Sequence, residues 1–158
     1  MPSLSPGTKG AKEAYGISIV RDDLSITIPP KALKRYGLSD KDIVLLSTTR
    51  IGEGGLAIMN KEKAYQSVFK KVIDQIDMLN AVYMQNKRIF ALTRIIDGKV
   101  FLTSELLESF YLKKGDRLLV IKSTTLTMSY SLVEVWKGKF EKRGFLEAIE
   151  NIQKLEEF

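Results

Sequence analysis

The sequence predicts a mixed α+β, β-rich fold in which one strand–helix–strand unit occurs twice in tandem, each copy followed by an amphipathic helix. Three observations predict it: short runs that alternate apolar and polar residues, a Pro-Pro start and a Gly stop bracketing a short helix, and an echo of that passage later in the chain.

In the first copy, Ile17 and Ile19, then Leu24, Ile26 and Ile28, alternate with polar neighbours at the period of a half-buried strand, with Arg21-Asp22-Asp23 as turn residues between them, a hairpin signal. Pro29-Pro30 ends the second strand, and a proline in the first helical turn loses nothing by lacking its N–H, so a helix is expected over Lys31 to Tyr36 with Gly37 to end it. Leu38 to Asp42 turns the chain into a β-rich run, Ile43 to Ser47, and Gly52 to Gly55 connects to the strand Leu56 to Met59. From Lys61 to Gln85 the period changes: Tyr65, Val68, Phe69, Val72, Ile76, Leu79 and Tyr83 recur every three or four residues, predicting one long amphipathic helix over 61–85. Such a stripe packs a core or an oligomer contact, and Tyr65, Val68, Phe69, Val72, Ile76 and Leu79 are its candidate oligomerisation residues.

The echo runs from Val100 to Leu107 and from Leu112 to Val120, without gaps at an offset of 74, so that Ile28, Leu33, Leu38 and Asp42 fall on Leu102, Leu107, Leu112 and Asp116. Tyr15 to Val20 then meets Ile89 to Arg94, and a C-terminal helix over Gly144 to Glu157 matches the helix of the first copy. The expected organisation is a flexible N-terminal tail at 1–12, a first repeat at 13–86 and a second, diverged repeat at 87–158.

Composition narrows the function. The chain of 158 residues has no cysteine and no histidine. Disulfides and thiolate metal sites are thereby excluded, and the commonest general base and metal ligand are missing. The carboxylates lie in helix-surface and turn contexts, so no enzyme, no metal and no cofactor is expected. No apolar run reaches the roughly 20 residues of a membrane helix, and Met1 to Ala11 lacks the apolar centre of a secretory signal, which predicts a cytoplasmic protein with no membrane partner. A net charge of +6 suits a polyanionic partner. By segment the charge is +2 over 1–60, +3 over 61–88, +1 over 89–136 and neutral over 137–158, so any basic patch has to be assembled by folding or oligomerisation.

The run from Ile26 through Pro29-Pro30, Lys34-Arg35, Gly37 and Asp42 to Val44 resembles the strand-Pro-helix-Gly-turn-strand signature of the AbrB/SpoVT/MazE family. The second copy keeps the apolar frame and the Lys113-Lys114-Gly115-Asp116 turn, with Thr103 and Ser104 in place of the prolines. The resemblance implies two swapped-hairpin β-barrel units, because about 45 residues bury too little surface alone and must pair. Pairing between the two copies and pairing with a second chain, giving a homodimer or higher homo-oligomer, are both open at this point. The tandem arrangement is also that of the MraZ family, whose aspartate-to-arginine signature is missing from the helix, so the chain is not placed there.

The family implies a prokaryotic transcription regulator that contacts double-stranded DNA through basic residues of the short helix and one face of the barrel. The implied contacts are Lys31, Lys34, Arg35 and Arg50, with Arg21, Arg94 and Lys99 behind them. Leu24-Ser25 stands where the family often has Gly-Arg; in the second copy Asp97-Gly98-Lys99 restores a cation, but Glu105 and Glu108 occupy its helix. Lys9 and Lys12 would make the tail an arm along a DNA groove. The alternatives are a non-catalytic scaffold that binds a protein partner, an antitoxin-like regulator, and a sensor function of the second repeat with Tyr130, Trp136 and Phe140 lining a small-molecule pocket.

Overall fold

A computed structural model describes residues 13–49, 54–144 and 146–158. The first copy gives β1 (Ala14–Ile19), β2 (Ser25–Thr27), α1 (Pro30–Arg35), β3 (Ile43–Ser47) and β4 (Gly55–Asn60), followed by α2 (Lys61–Tyr65) and α3 (Lys70–Gln75). The short strand β5 (Tyr83–Gln85) leads into the second copy: β6 (Arg88–Arg94), β7 (Lys99–Phe101), α4 (Ser104–Ser109), β8 (Arg117–Lys122), β9 (Thr127–Leu132), α5 (Val133–Arg143) and α6 (Leu146–Gln153). The fold is mixed α+β and rich in β, as expected.

The two copies interleave. Seven antiparallel strands form one open sheet in the order β1-β8-β9-β4-β3-β6-β5, and β2 pairs with β7 in a separate ribbon. The first strand of each copy therefore lies beside the third strand of the other, and the fourth strands, β4 and β9, meet in the middle. Ile26 faces its own repeat equivalent, Val100, across the ribbon, which puts an internal two-fold axis there. Equivalent bonds recur on both sides of it: Ile28 N donates to Gly98 O and Leu102 N to Leu24 O, each at 2.9 Å.

Two expectations need correction. The Ile17–Ile28 passage turns tightly, with Arg21 N donating to Ser25 O, but its two strands do not pair as a hairpin: β1 pairs with β8, and β2 with β7. Neither do the copies form two closed barrels; each has too few strands to enclose a core, and both contribute to one open sheet. The repeat also has a slip. Val20 and Ile95 hold equivalent places, each accepting at its carbonyl from the turn residue Gly115 or Lys41, so the first strands match at an offset of 75. The second copy's turn is one residue shorter.

The sheet buries both faces, which is why β3 and β8 read as unbroken apolar runs. On one face Val44, Leu46, Leu56, Ile58, Leu118, Val120, Met128 and Tyr130 pack against the ribbon, α1 and α4 in a core shared by both copies. On the other, Leu45, Met59, Phe90 and Leu92 are covered by α2 and α3, while Leu119 and Ile121 are covered by α5 and α6.

The long helix over 61–85 is not formed. Asn60 caps α2 by accepting from Glu62 N, and a break at Gln66–Phe69 precedes α3. Asn80 with φ +67 and the pairing of β5 with β6 end helical structure well before Gln85. Docking on the sheet overrides a periodicity that would otherwise run on. At the other end, Val133–Arg143 is helical and Gly144 closes it at φ +72, so the C-terminal segment is two helices rather than one starting at Gly144. Residues Glu156 to Phe158 bond along the outer edge of β1, with Ile17 N donating to Glu156 O and Phe158 N to Ile17 O.

Candidate nucleic-acid interface

The helix α1 begins at Pro30 with Pro29 before it and no side-chain cap, and ends with Lys34 and Arg35 in its last turn, where cations complement the negative end of the helix dipole. Tyr36 N donates to Ala32 O, and Leu38 N reaches back to Leu33 O across Gly37, which sits at φ +63. Lys63 Nζ and Asn60 Nδ2 add bonds to the carbonyls of Tyr36 and Gly37. Lys31, Lys34 and Arg35 are exposed on this short, well-anchored element. Arg35 also lies 5.9 Å from the centre of the Tyr36 ring, within cation–π range.

The second copy repeats the geometry with opposite charge. Thr103 caps α4 by accepting from Leu106 N at 3.1 Å, a hydroxyl doing what proline does by shape in the first copy. Glu105 stands in the first turn and Glu108 further on, both exposed. Tyr111 takes the place of Gly37 and carries its positive φ, +56.

Interleaving regroups the charges across copies. The turn before β7 belongs to the second copy but lies against α1: Gly98 O accepts from Ile28 N, and a Cβ at Gly98 would stand 3.7 Å from Leu33 Cδ1. Lys99, half-buried, follows on this turn. Arg21, by the same symmetry, lies on the turn beside the acidic α4, where Leu24 O accepts from Leu102 N. Asp22 and Asp23 flank it, and the Ser25 hydroxyl and backbone N–H, aided by the Lys99 charge, hold the Asp23 carboxyl below its ordinary range.

Arg94 stands by the C-terminal end of α1. It lines a groove of about 890 Å³ at the far end of α1 with Gly37, Lys41, Asp42, Lys61 and Glu62, and its guanidinium donates to Lys41 O at 2.9 Å. Arg50, Lys9 and Lys12 lie outside the described residues. Sequence reasoning missed Lys41 and Lys63, which the fold sets around the end of α1. Their only signal was a charge next to a turn, and their position depends on how α2 docks.

The expected oligomerisation stripe divides. Val72 is buried, while Phe69, Ile76 and Leu79 pack half-buried on the sheet, so these four serve the chain's own core. Tyr65 and Val68 remain exposed, Val68 at 88%. Of the three aromatics expected to line a pocket, Tyr130 is buried in the shared core and Phe140 under the C-terminal helices; Trp136 alone among them borders a cavity. Among the described residues no group of three or more metal-ligating side chains converges, and no helix is long and apolar enough to cross a membrane. No protein-family model and no curated protein matches the chain.

Proposed function

We propose that the chain is a non-catalytic, cytoplasmic, double-stranded DNA-binding transcription regulator of the AbrB/SpoVT swapped-hairpin type, folded as an internal pseudo-dimer. The observation that carries this reading is the grouping of Lys31, Lys34 and Arg35, all exposed, on α1, with the half-buried Lys99 on the turn that bonds to Ile28. Supporting the family reading is the exchange of strands between copies about the Ile26–Val100 pair, one of the two pairings that the resemblance left open. Phosphates supply much of such affinity through counterion release, and arginine can also read guanine edges.

The charge contrast between α1 and α4 makes the proposed interface one-sided. A symmetric dimer presents two equal helices to two half-sites; this chain presents one basic and one acidic helix, so we assign DNA contact to the α1 side. Each chain supplies both halves of the fold, and homo-oligomers would add further basic faces to one duplex. The acidic face of α4, with Glu105 and Glu108, favours a second reading, a scaffold that holds a protein partner there; the antitoxin-like reading ranks behind both.

The test is a fluorescence-anisotropy titration with random duplex DNA at low and moderate salt. Affinity should fall steeply with salt and drop in Lys34→Ala/Arg35→Ala, each lost phosphate contact lowering the salt slope by about 1. A folded protein that binds no duplex at low salt overturns the regulator reading in favour of the scaffold.

A further inference from the structure

On the sheet face opposite the shared core, the two helix pairs cover the flanks and leave a central cleft. Its volume is about 490 Å³, within the range of small-molecule sites. Its floor lies at the junction of β4 and β9, where Ala57 faces Ser129. Elsewhere on this face Leu45, Met59, Phe90, Leu92, Leu119 and Ile121 point into the two apolar clusters; here the positions are Ser47, Ala57, Ser129 and Ser131. Thr48 and Thr127 extend the same hydroxyl lining.

The two walls bring one cation each. Arg88, at the start of β6, stands on the flank covered by α2 and α3, its guanidinium 5.7 Å from the Phe69 ring centre and 5.0 Å from that of Phe90. Lys139 comes from α5, its ammonium 5.2 Å from the Trp136 ring. Each charge stands within cation–π range of a ring at the cleft margin. A floor of hydroxyls between two positively charged walls suits a ligand that offers many hydrogen bonds and at least one negative group.

The geometry points to a binding site for a monosaccharide-sized anionic carbohydrate, a sugar phosphate or sugar acid. Its hydroxyls meet Ser47, Ser129 and Ser131, and its anionic group lies between Arg88 and Lys139. The inference stands apart from DNA binding, since the cleft and α1 lie on opposite sides of the sheet. Solvent alone would wet such a strip, but it gives no reason for two ring-backed cations to face it from its two flanks.

Trp136 is the chain's single tryptophan and borders the cleft, so its emission reports on occupancy. Ribose 5-phosphate, glucose 6-phosphate and gluconate are titrated against ribose, glucose and inorganic phosphate, with calorimetry on the same solutions. At least one anionic sugar should bind saturably with half-saturation below about 1 mM. That affinity should weaken by about tenfold or more in Arg88→Met and in Lys139→Met, each checked for an unchanged melting curve, and in the uncharged sugars. Saturable binding that is unchanged in both variants overturns the site. Equal affinity for inorganic phosphate overturns the carbohydrate assignment, and no heat or emission change from any of the three anionic sugars with the wild-type chain overturns the proposal.

Discussion

Truncating Ile26 to alanine tests whether the two copies share one core. Ile26 is fully buried and faces Val100 across the ribbon, with partners from both copies in the same cluster. Removing its three outer carbons leaves a cavity that ribbon and sheet close only in part, a loss of about 3 kcal/mol. For a chain of this length that lowers the melting temperature by about 6 to 12 °C. Because strands from each copy complete the other, the transition should stay single, and fluorescence of Trp136 in the second copy should follow the same curve as far-UV circular dichroism. Val100→Ala should act on the same transition, and the double variant should depart from additivity by about 0.5 kcal/mol or more, since the two side chains meet. Two separate transitions, or a Trp136 signal unmoved by Ile26→Ala, would refute the shared core.

Other perturbations follow from the same geometry. Gly55 has φ +124 and a Cβ there would sit 2.2 Å from Tyr130 O, so Gly55→Ala should cost about 3 kcal/mol or more by urea denaturation. Tyr111→Gly removes a non-glycine residue from the left-handed region and should raise the unfolding free energy read from urea denaturation by about 1 kcal/mol, whereas Gly37→Tyr should lower it. The Tyr36 hydroxyl donates to Thr124 O and Thr127 O, and that of Tyr130 to Thr27 O, so Tyr36→Phe and Tyr130→Phe should each cost about 1 kcal/mol by removing these hydrogen bonds. Burial raises the pKa of Tyr36 and Tyr130 above the ordinary 10.0. The stability they contribute is therefore complete below pH 10 and is lost as pH rises above it, because the unfolded chain ionises first; pH-jump unfolding should show an alkaline loss that the double phenylalanine variant reduces.

How much of this was legible in the sequence differs by element. The strand and helix starts of the repeated unit followed from alternation and from Pro29-Pro30, because these signals are local. Helix α5 was missed: Val133, Trp136 and Phe140 are spaced as a helix, but a stretch with so few apolar positions gives a weak periodic signal. The long helix failed for the converse reason, since a periodic stripe says nothing about where docking on a sheet interrupts it. Whether the copies pair within the chain could not be read from either copy alone. That pairing places Lys99 beside α1 and Arg21 beside α4, a regrouping no linear reading of charges contains.

Backbone NMR of the isotopically labelled chain, titrated with a duplex at low salt, tests the proposed interface most directly. The account predicts that amide shifts concentrate at Lys31 to Tyr36 and at Gly98 and Lys99, with Glu105 and Glu108 little changed, and that added salt reverses them. Shifts centred on Ser104 to Ser109, or none at any duplex concentration, would contradict it.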